Sequence, residues 1–248
     1  MRESDKYITF DIDDKIINLY TKKPIDINFH VHNEEELNNK FLELSKDINY
    51  EFKKVILPRQ SHTTNVEIIT EDNLDSDLND IDAVVTNLKG VALVTSSADC
   101  QNIMIYDKQK EVIANVHSGW KGTLNKILRK SIEKMVDVYR CDVQDLIVCI
   151  SPSILKCCFE VDSDVVDMFR KEFKDIEDTI SLGEIKEDKQ KYYIDTVEIN
   201  RRELMDLGVP KDNIIVSDIC TKCSSDKYHS YRAHGMDSGR NVSLIVMK

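Results

Sequence analysis

Three residues of this 248-residue chain could hold a metal ion together: His62 in Arg59-Gln60-Ser61-His62-Thr63, Cys100 in Ser96-Ser97-Ala98-Asp99-Cys100, and His117 in Val116-His117-Ser118-Gly119-Trp120-Lys121-Gly122. Each stands where a β-type run ends or a polar loop begins, and strand ends at one sheet edge are rigid and open to solvent together. Zinc takes imidazole nitrogens and thiolates in a tetrahedral array, so two His and one Cys leave the fourth position vacant for water or substrate. That is the ligand count of a catalytic zinc rather than a structural one. Taken singly, each residue has an ordinary reading, as a satisfied histidine or a cysteine acting as a small hydrophobe, and the gaps between them are long. The local sequence sets them apart. Asp99 beside Cys100 can orient a ligand or accept a proton, and Gly119 and Gly122 around Trp120 let backbone approach a ligand closely. The expected active centre is therefore His62, Cys100, His117 and Asp99 with one zinc ion, copper being the alternative metal.

Two further groups of residues carry chemistry. Cys220-Thr221-Lys222-Cys223 is a C-x-x-C, and Cys157-Cys158 is available to complete a four-thiolate zinc site. An adjacent pair chelates one tetrahedral ion poorly, so these thiols are expected to be buried or redox-accessible instead. The run Ser230-Tyr231-Arg232-Ala233-His234-Gly235-Met236-Asp237-Ser238-Gly239-Arg240 brings two arginines and two turn glycines near the C-terminus. With Lys121 and Arg59 these arginines could cradle phosphate, the bland alternative being solvated surface charge.

The elements that must position these groups follow from hydrophobic periodicity. Short β-type runs at Tyr7–Phe10, Ile16–Tyr20 and Ile27–Val31 suggest a small antiparallel meander, and Asn33-Glu34-Glu35-Glu36 caps a helix of about three turns. From Lys53 to His117 the chain is strand-rich, with several nearly continuous apolar runs that call for cover on both faces. The cover comes from helices opening at Gly122-Thr123, over Asp162–Phe173 and over Glu198–Leu207, the last stopped by Gly208. Strands near Ile214–Val216 and Asn241–Val246 complete a mixed α/β class, a central mixed sheet flanked by helices. Residues 1–248 read as a single domain that includes the N-terminal meander and helix of residues 1–50. Cys141 and Cys149, beside Leu146, Ile147, Val148 and Ile150, read as core packing.

Composition narrows the function. A net charge of -11, with the charges interspersed, argues against nucleic acid as a partner. The N-terminus lacks a signal-peptide core and no apolar run reaches membrane-spanning length, so a cytoplasmic protein with no membrane partner is expected. Seven cysteines in such a chain should be mostly reduced. The partner expected is a small molecule, bound by a monomer or small homo-oligomer.

At these segments the sequence resembles the YfiH family, also called the laccase-domain or multicopper polyphenol oxidase family. The resemblance rests on Gln60-Ser61-His62, Asp82-Ala83-Val84-Val85-Thr86, Ser97-Ala98-Asp99-Cys100, His117-Ser118-Gly119-Trp120-Lys121-Gly122-Thr123, Cys157-Cys158-Phe159-Glu160-Val161, Asn200-Arg201-Arg202, Cys220-Thr221-Lys222-Cys223, and Ser230-Tyr231-Arg232 with Gly239-Arg240. It implies a YfiH-like fold with zinc on His62, Cys100 and His117. It also implies phosphorolysis of adenosine, inosine and methylthioadenosine, with adenosine deamination beside it. Copper-dependent phenol oxidation and amide hydrolysis on peptidoglycan precursors are the alternative activities. Copper oxidation suits the chain least, because a laccase needs several coppers and many histidines and this chain has 6 His. Departures from the family pattern are Thr63 where glycine is usual, Leu155-Lys156 for Gly-Pro, and Ala233-His234 for an Arg and an acidic residue.

In the nucleoside reading, Asp99 or Glu160 moves the proton, while Lys121, Arg59, Arg232 and Arg240 hold phosphate. A non-catalytic module would instead close the fourth metal position with Cys223 or His229.

Overall fold

The computed structural model describes residues 1–29 and 31–248. The N-terminal part runs through β1 (Arg2–Glu3), β2 (Tyr7–Thr9), β3 (Ile16–Thr21), α1 (Glu34–Asp47), β4 (Lys54–Ile56) and β5 (Val66–Ile68). The middle contains β6 (Ala83–Thr86), β7 (Val91–Ser97), β8 (Gln101–Asp107), β9 (Val112–Ser118), α2 (Trp120–Leu124), α3 (Ile127–Tyr139) and β10 (Leu146–Ile150). Next come β11 (Glu160–Asp162), α4 (Ser163–Glu172), β12 (Ile180–Lys186), β13 (Lys189–Ile194), α5 (Thr196–Leu207), β14 (Ile214–Val216), α6 (Tyr231–His234) and β15 (Asn241–Met247).

Two six-stranded mixed sheets form the centre, in the orders β1-β2-β3-β15-β7-β4 and β14-β10-β8-β9-β6-β5. Both faces of β7, β8, β9 and β15 are buried, as their unbroken apolar runs require. Between the sheets lie Leu93, Ile245 and Met247 from one and Val84, Met104 and Ile113 from the other. The outer face of the second sheet packs on α3 and α5 through Leu128, Ile132, Met135 and Leu204. Leu37, Phe41 and Leu44 of α1 cover the first sheet through Ala92, Val94 and Leu244. The mixed α/β class with flanking helices is thus realised with the strands shared between two sheets. Fully burying each Leu, Ile or Val in these layers contributes about 1.5–3 kcal/mol.

Local rules explain most boundaries. Asn33 and Glu36 form a reciprocal capping box at the start of α1, and Gly208 ends α5 in the left-handed conformation at φ 101. The helix expected from Gly122 is two helices, because Lys126 adopts φ 59 and redirects the chain before Ile127. That turn brings Ile127, Leu128 and Met135 onto the second sheet. The run Ile27–Val31 forms no strand over its described part, and His30 lies outside the described residues. Ile27 is buried, but its N–H reaches a lone carbonyl, that of Arg240, so no ladder develops. A three-stranded sheet, β11-β13-β12, was not signalled by the sequence, because β12 is mostly solvent-exposed and carries no buried alternation. Cys141 and Cys149 are buried in the core as expected. No helix among the described residues is long and apolar enough to cross a membrane.

Candidate metal centre

Strand register brings the three candidate ligands together. Strand β7 belongs to one sheet and β8 to the other, so Ala98-Asp99-Cys100 crosses between them at a common edge. Strand β8 begins where its antiparallel neighbour β9 ends, with Gln101 opposite Ser118 and Asn102 opposite His117. Cys100 therefore lies beside the end of β9. His62 comes from the loop between β4 and β5 in a left-handed conformation, φ 63, that is costly for a non-glycine residue.

The ligand atoms of His62, Cys100 and His117 all lie within 4.8 Å of one another, and Cys100 Sγ is 3.8 Å from His62 Nε2. Zinc bonds of about 2.0–2.1 Å to nitrogen and about 2.3 Å to sulfur at a tetrahedral angle would place S and N roughly 3.6 Å apart. Gly119 leaves the space for this. A Cβ there would stand 2.8 Å from His62 Cδ2 and 2.9 Å from Cys100 Sγ. The donor set and its clearance fit one thiophilic ion. Among the described residues no fourth His, Cys, Asp or Glu joins the group. Cys223 sits with the other cysteines, and His229 Nε2 is 3.0 Å from the Ile25 carbonyl.

Electrostatics favour the Cys100 thiolate beside a charged His117, whose Nε2 proton an incoming ion would displace. Asp82 is fully buried and stands at 2.8 Å from His117 Nδ1. It also accepts the N–H of His62 at 3.1 Å and both the N–H and hydroxyl of Thr63 at 2.7 Å. Burial alone would raise its pKa, but the His117 and Thr63 hydrogen bonds outweigh that and hold it at about 2. An ionised carboxylate only accepts, so the proton lies on His117 Nδ1 and Nε2 is directed to the site. For Cys100, desolvation opposes the thiolate, yet the His117 and His62 imidazoles beside it bring the thiol down to about 6. Burial likewise opposes the charged form of His117, which Asp82 and Cys100 hold up at about 9.

Asp99 lies at the cavity beside the trio, its carboxylate held by two donors. It is buried, with Oδ1 accepting from the Thr221 hydroxyl and Oδ2 from the Arg232 N–H, each at 2.7 Å. It thus anchors the start of α6, while Asp82 is the carboxylate that orients a ligand. Asp82 sits immediately before β6, where its carbonyl accepts the His117 N–H at 2.8 Å. Thr63, in the place of the family's glycine, spends its hydroxyl on the same carboxylate.

The trio opens into a cavity of about 400 Å³ whose walls include Gln60, Trp120, Phe159, Tyr231, Arg232 and Arg240. Arg232 and Arg240 are therefore brought to the centre. Arg59, Lys121 and Glu160 are not among the cavity residues: Arg59 borders a separate groove along α1, Lys121 lies over the Trp120 ring at 5.7 Å, and Glu160 is paired with Lys186 at 2.7 Å. Asn241 of β15 pairs with Ser97 of β7, which explains how Arg240 reaches the same edge as Cys100. Phe159 and Tyr231 are wall residues that residue-type reasoning passed over, although both stand inside quoted motifs.

A family described as multi-copper polyphenol oxidoreductase laccase matches residues 20–248. The chain belongs to this family. Within the laccase/YfiH family it is 34% identical over 202 residues to a purine nucleoside phosphorylase of Bacteroides thetaiotaomicron, covering 79% of this chain and 74% of that protein. It is 31% identical over 214 residues to adenosine deaminase RL5 from an unknown prokaryotic organism, covering 84% and 80%. The crystal structure of YlmD from Geobacillus stearothermophilus has the same fold, with a TM-score of 0.89 at 22% identity, covering 100% of this chain and 98% of that one.

Proposed function

We propose that this chain is a zinc-dependent purine nucleoside phosphorylase acting on adenosine, inosine and methylthioadenosine, with adenosine deamination as a companion activity. The observation that carries the reading is the three-donor centre opening into a cavity lined by two arginines and four aromatic side chains, Phe29, Trp120, Phe159 and Tyr231. The names of the relatives at 34% and 31% identity agree with it. His62, Cys100 and His117 would hold the ion, oriented by Asp82. Bound there, zinc supplies Lewis-acid chemistry, polarising an oxygen and making water nucleophilic near neutral pH.

The chain's own residues do the rest. In phosphorolysis a phosphate oxygen bonds to the ribose C1 carbon as the bond to the purine nitrogen breaks, and the departing base takes the bonding pair. Arg232 and Arg240 provide the cationic cradle that holds phosphate against that carbon. Trp120, Phe159 and Tyr231 offer faces for the purine and exclude water from the cleaving bond. Asp99 is a positioning residue, because through its bond to the Arg232 N–H it sets where that guanidinium begins. Copper chemistry of the laccase type needs several ions with many imidazole ligands, and among the described residues one histidine-bearing cluster exists.

A second reading, amide hydrolysis with Cys100 as nucleophile, is favoured by the depressed thiol beside His117. The two separate cleanly in one assay. Metal-replete protein is incubated with inosine, adenosine, methylthioadenosine or a muramyl peptide, with and without phosphate. Phosphorolysis gives hypoxanthine from inosine only when phosphate is present, and Cys100→Ala abolishes it. Hypoxanthine release that ignores phosphate or survives Cys100→Ala sinks the proposal. Peptide cleavage that persists after chelation would establish the thiol route. Cytoplasmic residence suits the seven free cysteines, which need a reducing compartment.

A further inference from the structure

Away from the trio, the structure assembles a second group of ligands. Cys157 and Cys158, in the turn before β11, meet Cys220 and Cys223, in the turn after β14, with the four Sγ atoms all within 4.8 Å of one another. Cys223 Sγ is 3.4 Å from Cys158 Sγ and 3.7 Å from Cys157 Sγ. Four thiolates around zinc at about 2.3 Å would be spaced roughly 3.8 Å apart. A covalent disulfide requires about 2.05 Å, and here one sulfur has two near-equivalent neighbours rather than one partner. Against the expectation that an adjacent pair chelates one ion poorly, the geometry allows Cys157 and Cys158 to share an ion with the C-x-x-C turn.

Two observations besides proximity show a built site. The C-x-x-C is closed as a turn, with the Ser224 N–H donating to the Cys220 carbonyl at 3.0 Å. The two turns are also already joined: Thr221 N–H donates to the Ser153 carbonyl at 3.0 Å, and Ser153 N–H to the Ile219 carbonyl at 3.3 Å. The site is thus held by backbone before any ion arrives. Cys157 and Cys223 are exposed while Cys220 is buried, which gives an ion an entry path from solvent.

We propose that Cys157, Cys158, Cys220 and Cys223 bind a second thiophilic ion, zinc, as a closed structural site that clamps one wall of the active cavity. The clamp acts through short connections. Phe159, next to Cys158, lines the cavity, the Cys158 carbonyl accepts Arg232 Nη1 at 3.1 Å, and Thr221, next to Cys220, holds Asp99. A tetrathiolate site has no open position, so this ion organises residues without touching substrate.

The test is metal content and cobalt spectroscopy on the full chain. Wild-type protein purified with zinc should carry two equivalents, Cys100→Ala should carry one, and Cys223→Ser should carry one. Cobalt-loaded Cys100→Ala should show the intense thiolate charge-transfer absorption of a tetrathiolate site, and Cys100→Ala/Cys223→Ser should lose it. If Cys100→Ala takes up no thiophilic ion, or its cobalt spectrum is unchanged by Cys223→Ser, the proposal is wrong. Should a variant fail to fold, alkylation of the wild type decides: Cys157 and Cys223 should be shielded in zinc-loaded protein and labelled rapidly after chelation under reducing conditions. Labelling at the same rate in both states, or a disulfide among the four in zinc-loaded protein, overturns the proposal. Because the Cys100→Ala arm removes the first centre, the second site can fail or stand independently of the nucleoside reading.

Discussion

Replacing Asp82 by Asn removes the charge behind His117 while keeping the shape. In the native site Oδ1 faces His117 Nδ1 and accepts the His62 N–H, and Oδ2 accepts from the N–H and hydroxyl of Thr63 and the N–H of Ser61. An amide cannot serve both sets. If its NH2 faces Thr63 and Ser61, two N–H donors lose their acceptor. If it turns the other way, it meets the donors of His117 and His62. Either orientation leaves a donor without an acceptor beside a buried group, a cost of about 1–3 kcal/mol, and frees the His117 ring to tilt or change tautomer. Loss of such outer-shell carboxylates costs about 10–100-fold in metal affinity, or about 1.4–2.8 kcal/mol. Competition with a chromophoric chelator measures the zinc affinity directly, on samples held below their melting temperature with the fold checked by circular dichroism. An Asp82→Asn protein that is folded and binds zinc as tightly as wild type would refute the claim that Asp82 orients the centre.

Gly119→Ala should keep the fold and lose zinc affinity, because the new methyl collides with the His62 ring and Cys100 Sγ; isothermal titration with zinc tests this, and undiminished binding counts against the placement of the trio. Arg240→Ala and Arg232→Ala should each raise the KM for phosphate about tenfold or more, the worth of a charge-assisted hydrogen bond, whereas Arg59→Ala and Lys121→Ala, outside the cavity, should leave it within about twofold. In metal-free protein the Cys100 thiolate forms as pH rises through about 6, so its alkylation should approach a plateau by pH 7 and fall away below pH 6. An ordinary thiol would still be accelerating at about pH 8.5, and a Cys100 profile of that kind would contradict the ion-pair environment.

The strand and helix content was legible wherever burial imposed a period. Strands β7 to β9 announced themselves as apolar runs because they are covered on both faces, and α1 and α5 were marked by Asn33 and Gly208 at their ends. Strands β12 and β13 were silent, since β12 is largely exposed and β13 is half-buried along most of its length, so neither shows hydrophobic alternation. The break at Lys126 was hidden because the apolar positions on either side keep a helical period, and one left-handed residue leaves no compositional trace. Residue type and context found the trio and the two cavity arginines. They did not find Asp82, because a carboxylate beside a strand looks like any other until register shows which side chain it faces.

Asp99 illustrates the same limit from the other side. It is adjacent in sequence to Cys100, yet its two oxygens accept from Thr221 and Arg232. Neighbours along a crossing turn point apart: at φ 93 the backbone of Asp99 sends its side chain toward the C-terminal loops while Cys100 faces the histidines. The consequence is a physical link between the two clusters of soft ligands. Cys100 belongs to the first, and Asp99 bonds to Thr221, which lies between Cys220 and Cys223 of the second. Arg232 closes the loop, donating its N–H to Asp99 and its guanidinium to the Cys158 carbonyl. A disturbance at the four cysteines should therefore reach Arg232 before it reaches His62 and His117, which Asp82 holds.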